Sequence, residues 1–328
     1  MNPMPLYITQ EDTANPSVLL IDALRERIRG RPFSLRTEKA YVLWADRLFH
    51  FHPTLHPREM GEKEIKAFLV HIDQTVGFSL STQQQALAAL LFLYREVLGM
   101  DLPWLASLPR PKKPHRVPVF FTPQEVETLL SKLPQKHQLP TRLLSGTGMR
   151  LMECFRLRIK DVDFDAVEIS VFDSKGKLDR VVPLPLSLLP ALREQVQKAH
   201  TFWQEDRQHN LKGVQLPDEL EKQRPNLGEE WEWFWLFPSP NLSTEPRSGL
   251  THRPARHEQS LQRAIQRALA DSGINKEASV NTLRHSFAID YLRAGYDLRS
   301  LQKLLGHADL YPTKLYSQLL ETEGKPAV

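Results

Sequence analysis

The sequence predicts a mostly α-helical protein with a small antiparallel β-sheet, an α+β class, arranged in two domains. Three observations predict it. Leu87, Leu90, Leu91, Tyr94 and Leu98 recur at three- and four-residue steps, the apolar face of an amphipathic helix. The stretches VEISVF at 167–172 and RVVPLPL, on either side of the turn DSKGK, read as the two strands of a β-hairpin. Between two helical regions, SLPRPKKPHRVP carries four prolines, so it cannot continue a helix and reads as an extended linker.

Composition bounds the function classes. A chain of 328 residues that is 41% apolar can bury two cores. The one cysteine, Cys154, excludes an intramolecular disulfide and fits a reducing compartment, with the thiol acting as a small buried apolar group. The opening stretch MNPMPLYITQEDTANPS holds acids and no long apolar run, unlike a secretory signal. The longest apolar run, Ala86 to Tyr94, is too short to span a bilayer. A soluble, cytoplasmic bacterial protein with no membrane partner is expected.

In chain order, residues 1–16 read as a disordered leader and 17–100 as a small helical domain. Helical patterns cover about Ser34–His52 and Glu62–Gln74, and Ser81 with Gln84 is placed as a capping box for the third, which Gly99 ends. Residues 101–118 are the basic, proline-rich linker. The second domain, 119–328, opens cleanly: Thr122 is the N-cap, Pro123 takes the first helical position and Glu125 closes a capping box. Residues 137–160 are helical with a break at SGTGMR (145–150), and the hairpin follows with Lys175 near its tip. Residues 201–256 do not fit a helical plan and read as an insert; regular helical pattern resumes at His257–Ser272 and runs on to Tyr316.

The net charge is only +4, yet the positive charge is clustered. Arg25, Arg27, Arg29, Arg31, Arg36 and Lys39 stand against only Glu26 and Glu38, and Arg110, Lys112, Lys113 and Arg116 stand in the linker with no acid between them. Localised charge of this kind is the footprint of a nucleic-acid binder, with Arg36, Lys39 and the four linker residues as the expected DNA contacts. In the insert, Trp231, Trp233 and Trp235 alternate beside Phe234 and Phe237. They read either as a platform on which bases stack, each stack worth about 1–3 kcal/mol, or as the packing of a subdomain. Asp218, Glu219, Glu221, Glu229, Glu230 and Glu232 make the insert acidic and argue against broad phosphate contact there.

The chemistry concentrates in NTLRHSFAIDYLRAGYDLRSLQKLLGHADLYPTKLY, from Asn281 to Tyr316. An arginine, histidines and a phenol in this arrangement suggest attack on a phosphodiester. Arg284 would hold a phosphate by paired N–H bonds, His307 would donate to a second oxygen, and Tyr316 would be the nucleophile. No Cys/His cluster or paired-carboxylate motif points to a metal, and no cofactor is expected.

Four fragments then stand in order: GTGMRLMEC with Arg150, DSKGK with Lys175, NTLRHSF with Arg284, and LLGH…Y with His307 and Tyr316. This set resembles the catalytic domain of the tyrosine recombinases, which have an arginine after Gly-x-Gly-x, a hairpin lysine, a His-x-x-Arg box, a His or Trp, and the tyrosine. The resemblance covers about residues 17–320 and implies a helical core-binding domain ahead of a tyrosine-recombinase catalytic domain. SLRTEKAYVLW, STQQQALAALLFLY, MDLPWL and the insert LPDELEKQRP…WFWLF…STEPRSG are further similar to the integron integrases. That resemblance implies DNA strand exchange through a 3′-phosphotyrosyl link, by a tetramer assembled on DNA. The partners would be a double-stranded attachment site and cassette sites folded as single-stranded hairpins, with the insert engaging protruding bases.

By the same resemblance, Arg150 and Arg284 bind the phosphate, Lys175 protonates the leaving oxygen and His307 adds a hydrogen bond. Asn281 stands where the family box begins with His. An asparagine amide cannot accept the phenolic proton, so cleavage is expected to be slowed. His285, beside Arg284, is expected to point elsewhere on the helix. Leu178 replaces a second hairpin lysine, Ser317-Gln318 follow the tyrosine where the family has x-His, and Tyr311-Pro312 precede it in place of small polar residues. A recombinase-fold DNA-binding protein that no longer cleaves, and a phage-type recombinase, are the alternative readings.

Overall fold

The computed structural model describes residues 16–31, 33–74, 78–106, 118–173, 178–244 and 249–323. The chain divides into two compact units, Met1–His115 and Arg116–Val328. Most of the expected leader, the linker basics Arg110, Lys112, Lys113 and Arg116, and the hairpin-tip Lys175 lie outside the described residues. No described helix is long and apolar enough to cross a membrane.

The first unit contains α1 (Pro16–Arg29), α2 (Leu35–Phe51), α3 (Glu62–Gln74), α4 (Leu80–Phe92) and the short α5 (Pro103–Ala106). Their inward stripes bring Leu24, Leu48, Ile65, Leu90, Leu93 and Leu105 together without solvent exposure. Two expectations need correction. The N-cap of α4 is Ser79, whose hydroxyl accepts from the Thr82 N–H, two residues ahead of the predicted cap. The linker also begins later than predicted, because Leu105 of α5 is anchored in the first core.

The basic edge of this unit is partly neutralised. Arg25 pairs with Asp22, Arg29 with the buried Glu38, and both Arg27 and Arg31 with Glu96. Arg36 and Lys39 are exposed on α2.

The second unit opens with α6 (Pro123–Lys132), where the Thr122–Glu125 capping box and Pro123 start the helix as predicted. Next come α7 (Gln135–Thr147) and α8 (Leu151–Phe155), then a three-stranded antiparallel sheet of β1 (Val162–Asp163), β2 (Glu168–Phe172) and β3 (Leu178–Pro183), in that order. Ile169 pairs with Val182 and Val171 with Arg180, so period-two alternation turns these four residues to the buried face. Cys154 is fully buried in this core, and burial pushes its thiol pKa up. The chain continues through α9 (Leu189–Gln208), α10 (Asp218–Gln223), the paired strands β4 (Ser243–Thr244) and β5 (Thr251–His252), α11 (Glu258–Ser272), α12 (Val280–Arg293), α13 (Leu298–Leu305) and α14 (Tyr311–Glu323). The last turns of α9 fall within the stretch read as non-helical.

The insert is a built subdomain rather than a loose loop. Ile159 N–H donates to Phe234 O and Leu236 N–H to Leu157 O, which lays the aromatic segment alongside 157–159. The buried Arg253 forms a two-pronged pair with the buried Asp206 of α9 and also donates to Ser239 O and Pro240 O. The buried Arg158 donates to Trp233 O and Gln215 O while its guanidinium lies over the rings of Trp233 and Trp235.

Candidate active site

The site is organised by the carboxyl end of α13. A helix ends with carbonyls that have no intrahelical partner, and they attract cations. Here three successive carbonyls each accept from a different arginine. Arg180 Nε donates to Leu304 O at 2.7 Å, Arg284 Nη2 to Leu305 O at 2.5 Å, and Arg150 Nη2 to Gly306 O at 3.0 Å. The arginines come from β3, α12 and the N-cap of α8, so one helix end fixes three side chains distant in sequence.

Two glycines permit this convergence. Gly148 caps α7 at φ +65°, and a Cβ there would lie 2.4 Å from Phe287 Cδ1; its carbonyl accepts from Arg284 Nη1 at 2.8 Å. Gly306 ends α13 at φ +62°, and a Cβ there would lie 2.7 Å from Arg180 Nη1.

Arg284 is 6% exposed, and burial, reinforced by the nearby Arg150 charge, lowers its pKa to about 10. It is still a cation at neutral pH, and two of its five N–H groups are used in these bonds. Arg150 is half-exposed and pairs with Glu153 at 2.6 Å. Glu153 also receives Arg180 at 2.6 Å. Burial alone would raise the Glu153 pKa, but hydrogen bonds from Arg180 and from the Arg150 backbone outweigh it and hold the carboxyl below its usual range. Arg180 and Glu153 were absent from the sequence reading; the signal available was an arginine on the inward register of a strand.

His307 follows Gly306 directly. Its Nδ1 is 2.9 Å from the Oγ1 of the fully buried Thr313, and burial together with Arg284, Arg150 and Arg180 lowers its pKa to about 4. The ring is therefore neutral at pH 7. In the tautomer where the Thr313 hydroxyl donates to Nδ1, Nε2 carries the proton and can donate to a phosphate oxygen.

Tyr316 lies on α14 and is 4% exposed, packed with Ala288, Ile289, Leu301 and Leu305. Burial raises its pKa, while the Arg284 charge works in the opposite direction. Its hydroxyl is 2.7 Å from His285 Nδ1. This corrects the expectation that His285 points away: on α12 it sits one turn after Asn281, on the same face, and turns toward α14. Burial and the adjacent Arg284 lower the His285 pKa to about 4. Asn281 itself is exposed.

The structure thus brings Arg150, Arg284 and His307 to one helix end, with Tyr316 and His285 paired beside Arg284. The tryptophans separate. Trp235 is 7% exposed, its Nε1–H donates to Arg253 O and Arg158 covers its ring at 4.4 Å, so it packs the subdomain and is no stacking platform. Trp231 and Trp233 are partly exposed; Lys160 Nζ lies 3.8 Å from the Trp233 ring centre, and Trp231 contacts His200 and Trp203.

The Phage integrase family signature matches residues 119–323, and that of the phage integrase N-terminal SAM-like domain matches 20–104. The chain belongs to the phage integrase family of tyrosine recombinases. Proteins named Integrase/recombinase from Escherichia coli and Pseudomonas aeruginosa are each 47% identical over 308 residues, covering 94% of this chain and 91% of theirs. Among solved structures, the XerH site-specific recombinase bound to palindromic difH substrate, a post-cleavage complex, superposes with a TM-score of 0.62 at 18% identity, covering 98% of this chain and 97% of that one. At that identity the likeness shows the tyrosine-recombinase fold, an N-terminal SAM-like domain followed by a catalytic domain. Members of this family cleave and rejoin DNA.

Proposed function

We propose that this protein is an integron-type integrase that cleaves and rejoins DNA through a 3′-phosphotyrosyl intermediate on Tyr316. Its substrates are a double-stranded attachment site and cassette sites folded as single-stranded hairpins, and four copies assemble on the paired sites. The observation that carries the chemistry is the convergence of Arg150, Arg284 and His307 on one helix end beside Tyr316.

Arg150 and Arg284 hold the two non-bridging oxygens of the scissile phosphate and stabilise the charge that grows there as Tyr316 Oη attacks. His307 donates a further hydrogen bond. Lys175, from the hairpin, gives its proton to the departing 5′-oxygen. The phosphotyrosyl bond keeps the energy of the broken phosphodiester, so rejoining needs no cofactor. Arg36 and Lys39 on α2, with the linker basics, hold the DNA backbone.

Supporting the integron type is a built insert that leaves Trp231 partly exposed, a ring that could stack on an unpaired base, with the partly exposed Trp233 beside it under the Lys160 and Arg158 cations. Binding affinity for a cassette site folded as a single-stranded hairpin, against the same sequence as duplex, tests this. The hairpin should bind more tightly, and Trp231→Ala with Trp233→Ala should erase the difference. Equal affinity for both forms in the unaltered protein would leave a phage-type recombinase without cassette recognition.

A further inference from the structure

We propose that His285 is the base that takes the phenolic proton when Tyr316 attacks DNA, doing from one helical turn further on what Asn281 cannot. The inference rests on the reading of Tyr316 as the nucleophile.

The geometry has three parts. His285 Nδ1 is 2.7 Å from Tyr316 Oη, a normal hydrogen bond to the reacting oxygen itself. Asn281 and His285 are four residues apart on α12, hence on one face, so a base at either position approaches the site from the same side. An amide nitrogen has no basic lone pair, whereas a neutral imidazole always has one bare nitrogen. With the proton on Nε2, Nδ1 is the acceptor and the Tyr316 hydroxyl is the donor.

The surrounding charges keep the imidazole in that form. Burial and then Arg284 on the same helix hold it neutral at pH 7; Tyr316 faces it from α14, and His307, itself neutral, neighbours it from the loop between α13 and α14. In the free protein the transfer is uphill, because Tyr316 is a weaker acid than usual and His285 a weaker base. A DNA phosphate beside Arg284 offsets that arginine's charge and raises the basicity of His285, and the phenol becomes more acidic as its oxygen bonds to phosphorus.

The step balances as follows. Tyr316 Oη forms a bond to phosphorus and loses its proton to His285 Nδ1, while the bond from phosphorus to the 5′-oxygen breaks and that oxygen takes a proton from Lys175. Rejoining runs the same transfers in reverse.

The test is the single-turnover rate of covalent protein–DNA complex formation on a nicked duplex substrate, measured against pH. His285→Gln keeps a hydrogen-bonding side chain without a base, and His285→Asn is the second variant should the longer amide not fold; melting temperature and DNA affinity qualify either. The rate should fall about a hundred- to ten-thousand-fold. It should then climb steadily toward alkaline pH, where the unaltered protein has already reached its plateau. Adding Asn281→His to His285→Gln should regain most of the loss. An unchanged rate and pH profile in a folded His285 variant would overturn the proposal while leaving Tyr316 in place. Covalent complex in Tyr316→Phe would instead overturn the nucleophile assignment. A 5′-bridging phosphorothiolate substrate, whose sulfur leaves without a proton, separates base from acid. The His285→Gln defect should persist on it, and its disappearance would mean that His285 serves the leaving group and not the nucleophile.

Discussion

At the scale of single residues, the distinction between charge and geometry decides what Arg150 and Arg284 do. A lysine keeps the charge but loses the planar fork that spans two phosphate oxygens. In Arg284→Lys it also cannot bond Gly148 O and Leu305 O while still facing a phosphate. Single-turnover cleavage should therefore fall at least about a hundredfold in either variant, about 3 kcal/mol of barrier, with affinity for DNA changed far less. Equal losses in a filter-binding and a cleavage assay would mean that these arginines only position DNA. The histidines make a second prediction. His137, His285 and His307 are all lowered to about 4 by burial, so the folded chain binds fewer protons than the unfolded chain between pH 6.5 and 4. Stability is then fully present above pH 6.5 and is lost as pH falls toward 4. Burial raises the Asp161 carboxyl to about 6 and raises that of Asp290 as well, which opposes this loss over part of the window, but the lowered Glu125 and Glu153 carboxyls act in the same direction as the three imidazoles. Urea unfolding between pH 7 and 4 should show a falling midpoint; a flat one would mean that the imidazoles are solvated. Residues with motif context were legible in the sequence. His285 was not, because its contact with Tyr316 depends on how α12 packs against α14, 31 residues further along the chain.

At the scale of elements, the α6 cap and strand alternation were the legible features, whereas the α4 cap lies two residues ahead of the one predicted. Thr122-Pro123 and Glu125 fix the start of α6, and alternation fixes the hairpin. What could not be read was the role of α13 as a hub, since its three arginine partners lie up to 156 residues away. Arg180 shows the reason: its register with Val182 turns it inward, yet only the fold puts Glu153 and Leu304 O there to receive it. Arg180→Ala would leave the Glu153 carboxylate with one partner fewer in a largely buried site. We expect a loss of about 3–5 kcal/mol in chemical unfolding, together with loss of cleavage. An unchanged unfolding midpoint would mean that solvent reaches Glu153 and the hub is loose.

For the whole molecule, the insert separates fold from specificity. Its tryptophans share one short segment, but the pairing of Phe234 and Leu236 with residues 157–159 turns Trp235 inward and leaves Trp231 and Trp233 partly exposed. Trp235→Ala should cost about 3–5 kcal/mol of stability, as expected for a large core truncation, whereas Trp231→Ala, which removes a partly exposed ring packed on His200, Trp203 and Phe234, should cost clearly less and weaken binding to a folded hairpin site. The reverse pattern in thermal unfolding and hairpin binding would contradict the division. Sequence alone pointed to aromatics in an insert; which face each ring takes depends on a partner segment, residues 157–159, more than seventy residues earlier, and no local pattern encodes that. If Tyr316 is the nucleophile, this fold delivers one phenol to one phosphate. The most direct measurement is covalent trapping on a nicked duplex attachment site by the unaltered protein, by Tyr316→Phe and by Tyr311→Phe. The unaltered protein and Tyr311→Phe should form the protein–DNA complex, and Tyr316→Phe should form none while binding the duplex with nearly unchanged affinity. A covalent complex with Tyr316→Phe, or its loss only in Tyr311→Phe, would mean that Tyr316 is not the nucleophile.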